Sequence, residues 1–392
     1  MPSEPAPIVY MDNAATSWPK APGVAEAIVD SLQQGLANPG RGSHRLALAA
    51  SRAVLSARQE LAALFHLSDP LTVLFTANVT EAINLVLWGW LRPGDRVVTT
   101  SMEHNAVMRP LRALERERGV RVHQVQADKA GRLSLNALAQ ALSSGASLMV
   151  VNHASNVVGT IAPLAEVAHL CRDRGIPILV DAAQTAGVLP IDMPAMEIDM
   201  LAFTGHKGLL GPTGTGGLCL GPRVDIERLR PLVYGGTGSR SEEEVQPDFL
   251  PDRYESGTLN TIGIAGLAAA VRFLRQETVE RVHAHERHLT AALLQSLQGI
   301  PGVRLYGTLE PEAQVGVVSF TVKGMDGAEV AFRLDDEYGI ISRVGLHCAP
   351  GAHRTIGTLP QGTVRLGLGY FTTMAEVEAV AGAVAILAAE VG

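Results

Sequence analysis

The stretch Ile176-Pro177-Ile178-Leu179-Val180-Asp181-Ala182-Ala183-Gln184, with Asp199-Met200-Leu201-Ala202-Phe203-Thr204-Gly205-His206-Lys207-Gly208 shortly after it, decides the fold. Each apolar run is short, bounded by Gly or Pro, and ends in polar residues. Runs of this kind read as buried strands of a mostly parallel sheet. In such sheets the chemistry gathers at the carboxyl ends of the strands. Two strand ends therefore present Asp181, Gln184, His206 and Lys207 to one crevice. An Asp that pairs with a pyridinium nitrogen and a Lys that forms a Schiff base are what pyridoxal 5'-phosphate requires. The glycine-rich run 211–217 lacks the Gly-Lys-Ser/Thr ending of a nucleotide loop and leads into a strand. It reads as a turn that lets the backbone pass close to the lysine.

Working outward, further strands are expected at 73–75, 96–100, 120–124, 148–151 and 217–220, beside those at 178–180 and 200–203. Helices are expected near 24–32, 46–65, 80–90, 107–118, 134–143 and 163–174. Strand–helix alternation of this kind marks a doubly wound α/β layer. The residues before Ile8 read as a loose arm and 38–44 as a loop. After Pro231 a long Gly-, Pro- and Glu-rich loop region runs to Gly257. Helices at 263–275 and 281–297, strands at 317–322, 340–343 and 363–368, and helices at 328–337 and 375–388 make a smaller α+β unit. The expected division is a large domain at 14–260 and a small one made of 1–13 and 261–392.

The chain has 392 residues, of which 47% are hydrophobic, so a large core forms without disulfides. A formal net charge of −7 without a basic patch argues against a nucleic-acid partner. No apolar run suffices to span a bilayer, and the first residues do not resemble an export signal. A cytoplasmic protein with three reduced cysteines is the expectation. No metal site is expected: His283, His285 and His288 lack the spacing of a helical zinc pair.

Asn78 and Thr80 lie where a strand meets a helix, and a helix N-terminus binds phosphate. Plain capping by Thr80 is the alternative there. His104 follows a strand and is placed to stack on an aromatic cofactor and shuttle protons. Asn156 follows another strand, as a donor to a phenolate or carboxylate or as a turn residue. Cys348 has His347 beside it and Arg343 nearby, and positive neighbours favour a nucleophilic thiolate. A buried inert thiol is the alternative for Cys348, and the reading for Cys171 and Cys219. Arg365 is suited to hold a substrate carboxylate, with a solvated arginine at a strand edge as the alternative.

Across nearly its whole length the chain resembles a known family. The motifs are Tyr10-Met11-Asp12-Asn13-Ala14-Ala15-Thr16, Arg41-Gly42-Ser43-His44, Thr80-Glu81-Ala82-Ile83-Asn84, Glu103-His104-Asn105, Ser155-Asn156-Val157-Val158-Gly159, Val180-Asp181-Ala182-Ala183-Gln184, Thr204-Gly205-His206-Lys207, Glu255-Ser256-Gly257-Thr258 and Arg343-Val344-Gly345-Leu346-His347-Cys348-Ala349. In this order they are similar to the class V aminotransferase-fold cysteine desulfurases, on the side of the SufS type and the selenocysteine lyases. The resemblance implies a type I pyridoxal-phosphate transferase fold, α/β, with a mainly parallel seven-stranded sheet and a smaller α+β C-terminal domain. It implies that L-cysteine becomes L-alanine while sulfur stays on Cys348 as a persulfide, for transfer to an acceptor protein and iron–sulfur cluster assembly. Selenocysteine lyase, cysteine-sulfinate lyase, epimerase or aminotransferase activities, or a non-catalytic partner role, are the alternatives on this scaffold.

The roles implied are residue by residue. Lys207, Cys348 and His104 would be catalytic. Asp181 would pair with the pyridine nitrogen, Gln184 with the ring oxygen, and His104 would stack on the ring. Thr80, Thr204 and His206, with Asn78, would hold the phosphate. Thr258 would reach the phosphate of a neighbouring subunit, which implies a homodimer. Asn156, Arg365, Arg343 and His44 would face the substrate. Where the family carries Gly-Thr before Thr80, this chain has Asn78-Val79.

Overall fold

The computed structural model describes residues 8–35, 38–40, 42 and 44–391. The expected arm before Ile8, and Arg41 and Ser43 of the loop motif, lie outside them. The chain opens with β1 (Val9–Tyr10), α1 (Val24–Gln33) and α2 (Arg45–Leu64). An alternating run follows: β2 (Val73–Thr76), α3 (Val79–Trp90), β3 (Arg96–Thr100), α4 (Asn105–Arg118), β4 (Arg121–Val125), α5 (Leu135–Ser143), β5 (Leu148–Asn152), α6 (Leu164–Arg172) and β6 (Ile178–Asp181). Strands β7 (Met200–Thr204) and β8 (Gly216–Leu220) complete a seven-stranded sheet in the order β2-β8-β7-β6-β5-β3-β4. Strands β5 to β8 are buried at every position, which is why they read as unbroken apolar runs. Only β8 runs antiparallel to its neighbours in this sheet. Its first residue therefore joins the carboxyl ends of the others. Thr76, Gly216 and Thr204 are paired in register across one edge, as are Asn152, Asp181 and Ala202.

Helix α7 (Thr261–Glu277) begins where the small domain is expected to begin, capped by the Asn260 side chain. Its apolar face, with Leu267, Val271 and Leu274, nevertheless packs into the core of the large layer. Helix α8 (Val279–Gln298) leads into the small unit: β9 (Val303–Tyr306), β10 (Val317–Val322), α9 (Gly327–Tyr338), β11 (Ile340–Ile341), β12 (Arg343–Gly345), α10 (Pro350–Ile356), β13 (Thr363–Gly367) and α11 (Met374–Ala389). Strands β12-β13-β10-β9 form an antiparallel sheet around a separate core that includes Phe320, Leu334 and Leu387.

Several local expectations need correction. The single strand expected at 340–343 is two, because β11 pairs with β1 while β12 pairs with β13. Strand β9 and helix α10 were not anticipated, since each is short and carries little periodicity. The cap of α3 is Asn78, whose Oδ1 accepts from Glu81 N at 3.0 Å, and not Thr80.

Candidate active site

The site lies at the carboxyl edge of the large sheet, where loop residues of the small unit close over it. Lys207 follows the end of β7 in a turn held by backbone bonds from Gly205 N to Thr215 O and from Gly211 N to Gly205 O, both 2.8 Å. The glycine-rich run does pass close to the lysine turn. A Cβ on Gly205 would stand 2.1 Å from Thr215 Oγ1, and one on Gly211 would stand 3.0 Å from Gly205 O. Among the described residues Lys207 Nζ has no hydrogen-bond or ion-pair partner. Burial pushes its ammonium down to about 8, with Arg365 and Arg343 adding to the effect and Asp181 opposing it. Asp181 is buried at the end of β6, and its Oδ1 accepts only from Ala183 N at 2.9 Å. Burial raises its carboxyl, while that bond and the Lys207 charge pull it back.

His104 caps α4, its Nδ1 accepting from Ala106 N at 3.0 Å. Burial first, then the charges of Lys207, Arg343, Arg109 and Arg365, hold this imidazole down at about 4. The ring is therefore neutral at neutral pH, a state suited to stacking and unsuited to acting as an acid. His206 is likewise lowered to about 4 by burial and by Lys207 and Lys20, and its buried Nδ1 has no partner. Gln184 Nε2 donates to Ala14 O at 3.0 Å, which turns its amide toward the N-terminal loop.

At the start of α3 the amides of Val79 and Thr80 have no acceptor among the described residues. Glu81 closes the turn by accepting from Ala77 N at 2.7 Å. Gly216 brings β8 so near that a Cβ there would stand 2.6 Å from Asn78 Cα. Thr204 is buried in the adjoining strand and donates weakly to Thr215 O at 3.5 Å.

The small unit contributes cations and a thiol. Arg343 and Arg365 are directly opposed on β12 and β13. Arg365 is 1% exposed, donates to Asn156 O at 2.9 Å and Asp12 Oδ1 at 2.7 Å, and keeps a buried Nε without a partner. Asn156 donates to His347 O at 2.7 Å and leaves its own buried Oδ1 unpartnered. Cys348 is exposed, and its carbonyl accepts from Asn105 N, the first residue of α4, at 2.8 Å. His347 and Cys348 both have positive φ, 46° and 57°, in the region non-glycine residues rarely adopt. The buried alternative for Cys348 is thus excluded, whereas Cys171 and Cys219 are buried and their thiols raised by burial. His347 does not serve as a positive neighbour of the thiol. Its ring is buried, lies 3.1 Å from Thr363 O, and is held at about 2 by burial, Arg365, His353 and Arg343.

Two expected residues are not gathered with this set. His44 caps α2 by accepting from Ala47 N at 3.4 Å and is exposed. Thr258 is exposed on the loop before α7, in a groove shared with Thr76, Ala77 and Glu81. Three residues were missed. Asp12 and Glu103 stood inside quoted motifs without a role. Glu103 is buried beside Asp181, accepts from Thr100 Oγ1 at 2.7 Å, and is raised to about 8, chiefly by burial. Lys20 donates to His206 O at 3.1 Å and is lowered to about 8 by burial. Nothing in its exposed-looking local sequence signals this contact.

The family model described as aminotransferase class-V matches residues 9–380. The chain belongs to the class V aminotransferase family. Its relatives within that family include a probable cysteine desulfurase of Methanothermobacter thermautotrophicus, 36% identical over 94% of this chain and 92% of that one. A cysteine desulfurase of Haloferax volcanii is 34% identical over 90% of this chain and 83% of its own length. Among solved structures, the apo cysteine desulfurase of Thermococcus onnurineus matches over 100% of both chains with TM-score 0.91 and 32% identity. The Escherichia coli cysteine desulfurase CsdA, with an S-sulfonic acid, matches over 97% of this chain and 94% of that one with TM-score 0.86 and 28% identity.

The residues present fit the family's cofactor. A buried carboxylate with one donor, a half-buried lysine and two helix amides without partners among the described residues, and a neutral imidazole offer groups for a ring nitrogen, an aldehyde, a phosphate and a ring face.

Proposed function

We propose that this chain is a pyridoxal-phosphate-dependent cysteine desulfurase that converts L-cysteine to L-alanine and keeps the sulfur on Cys348 as a persulfide. One observation carries the reading. The only exposed thiol of the chain is tied by its own backbone to the first turn of α4, beside His104. It and Lys207 both lie within electrostatic reach of Arg365.

Bound pyridoxal phosphate would supply an electron sink for bond cleavage at the substrate's carbons. Lys207 Nζ would hold its aldehyde and would then be the group to carry the Cα proton. Asp181 would face the ring nitrogen and His104 the ring face. Val79 N, Thr80, Thr204 and His206 would hold the phosphate. Arg365 Nε–H and the Arg343 guanidinium would take the substrate carboxylate, and Asn156 Oδ1 would accept from the substrate. Cys348 Sγ, as thiolate, attacks the substrate sulfur. An S–S bond forms and the carbon–sulfur bond breaks. Its electron pair passes to the substrate carbon, which takes up a proton to give alanine.

The proposal includes a homodimer in which Thr258 reaches the phosphate of the neighbouring subunit; the exposure of Thr258 on the loop before α7 supports it. A sulfur-accepting protein partner and a cytoplasmic setting belong to the same proposal. The test is alanine formation from L-cysteine with reductant, wild type beside Cys348→Ala. Alanine from the wild type alone supports the reading. Equal alanine from both removes the persulfide step, and none from either removes the desulfurase.

A further inference from the structure

Arg365 is the more buried of two directly opposed arginines, and what holds it is Asp12. Like charges directly across a sheet repel, and a buried guanidinium without a partner is costly. Asp12 takes one terminal nitrogen at 2.7 Å and the Asn156 carbonyl takes the other at 2.9 Å. These two anchors point in from different units of the fold and fix the guanidinium plane. The one polar atom of Arg365 left buried and unpartnered is Nε. Asp12 itself is placed by backbone pairing on both sides: Met11 N donates to Ile341 O at 2.8 Å, and Asn13 N to Gly367 O at 3.2 Å. Its side chain is 19% exposed, against 2% for that of Arg365.

We infer that Asp12 is a positioning residue for substrate recognition: it orients Arg365 so that the Nε edge, and not the terminal nitrogens, meets the substrate carboxylate. It acts through Arg365 and touches no reacting atom. The opposite role, a carboxylate that occupies the anchor and competes with substrate, makes the reverse prediction. The inference rests on the desulfurase reading.

The experiment is steady-state alanine formation from L-cysteine by the full-length, cofactor-loaded protein, comparing wild type, D12N and D12E. D12N keeps the shape and removes the charge. Losing one charge-assisted contact that orients Arg365 raises KM roughly tenfold, with kcat changed only about twofold. D12E, which keeps the carboxylate, restores part of the lost affinity. A KM that stays the same or falls in D12N overturns the inference. So does an equal fall in kcat for both variants, which marks a merely structural role. If the wild type itself forms no alanine, the desulfurase reading falls and the inference falls with it. A normal wild type with an unmoved D12N sinks the inference alone.

Discussion

Lys207 shows how surroundings tune a side chain that its place past a strand already singles out. Burial holds its ammonium at about 8, below the ordinary lysine value, so about a tenth of it is free amine at pH 7, far more than for an ordinary lysine. Uptake of pyridoxal phosphate by the cofactor-free protein, followed by its visible absorbance, should therefore rise about tenfold per pH unit below 8 and level off above it. Lys207→Ala should give no band at any pH. Cys348 illustrates the converse. Its immediate neighbour His347 looked like an activating cation, yet the ring turns inward to Thr363 and is neutral, because a cation there would be buried. The cation within electrostatic reach of Cys348 is instead Arg365 of β13.

Strands and helix ends decide where charge is tolerated. Arg343 opposite Arg365 is an unfavourable cross-strand pair with one carboxylate, Asp12, to offset it. The arrangement is understandable if a second carboxylate, that of the substrate, completes it. Arg343→Gln should then raise the unfolding temperature of the substrate-free protein by roughly 1–3 °C while raising KM for L-cysteine, a stability–function exchange seen by thermal unfolding beside kinetics. At the other end of the site, Gly216 lets β8 pass against the cap of α3. Gly216→Ala must push Asn78 away, so it should cost about 1–3 kcal/mol in denaturant unfolding and weaken cofactor retention together.

The molecule as a whole is tied together by buried polar contacts between distant segments. Glu255 of the Glu255-Ser256-Gly257-Thr258 motif pairs with Arg58 of α2 and accepts from Phe75 N at 2.6 Å. It locks the loop carrying Thr258 onto the large sheet. Glu255→Ala leaves a buried arginine alone and should cost about 3–5 kcal/mol. Three buried imidazoles, His153, His347 and His353, are lowered to about 4, 2 and 4, chiefly by burial. The unfolded chain binds their protons at its ordinary value near 6.5, so unfolding takes up protons below that pH. Their contribution to stability is fully present above pH 6.5 and falls as pH drops toward 4, by about 1.4 kcal/mol per unit for each ring that stays neutral, whereas the raised carboxyls of Glu103 and Glu286 act in the opposite sense. Unfolding temperatures of the wild type should therefore fall more steeply between pH 6.5 and 4.5 than those of His353→Gln, and equal slopes would remove this account.

The local sequence was enough to determine the layer of strands, because fully buried strands need unbroken apolar runs and their ends must turn polar. Asp181, Lys207, His104 and Asn156 were legible for the same reason: each stands just past such a run. Position across the sheet was not legible. That β8 is antiparallel, that 340–343 divides between two sheets, and that α7 joins the large core depend on pairings between segments far apart. Arg365 and Asp12 are separated by 353 residues, and no local pattern reports their contact. Nor does one report the inward turn of His347 or the bond from Asn105 to Cys348. Periodicity records which face of an element is buried; which partner it is buried against is decided only when the chain closes on itself.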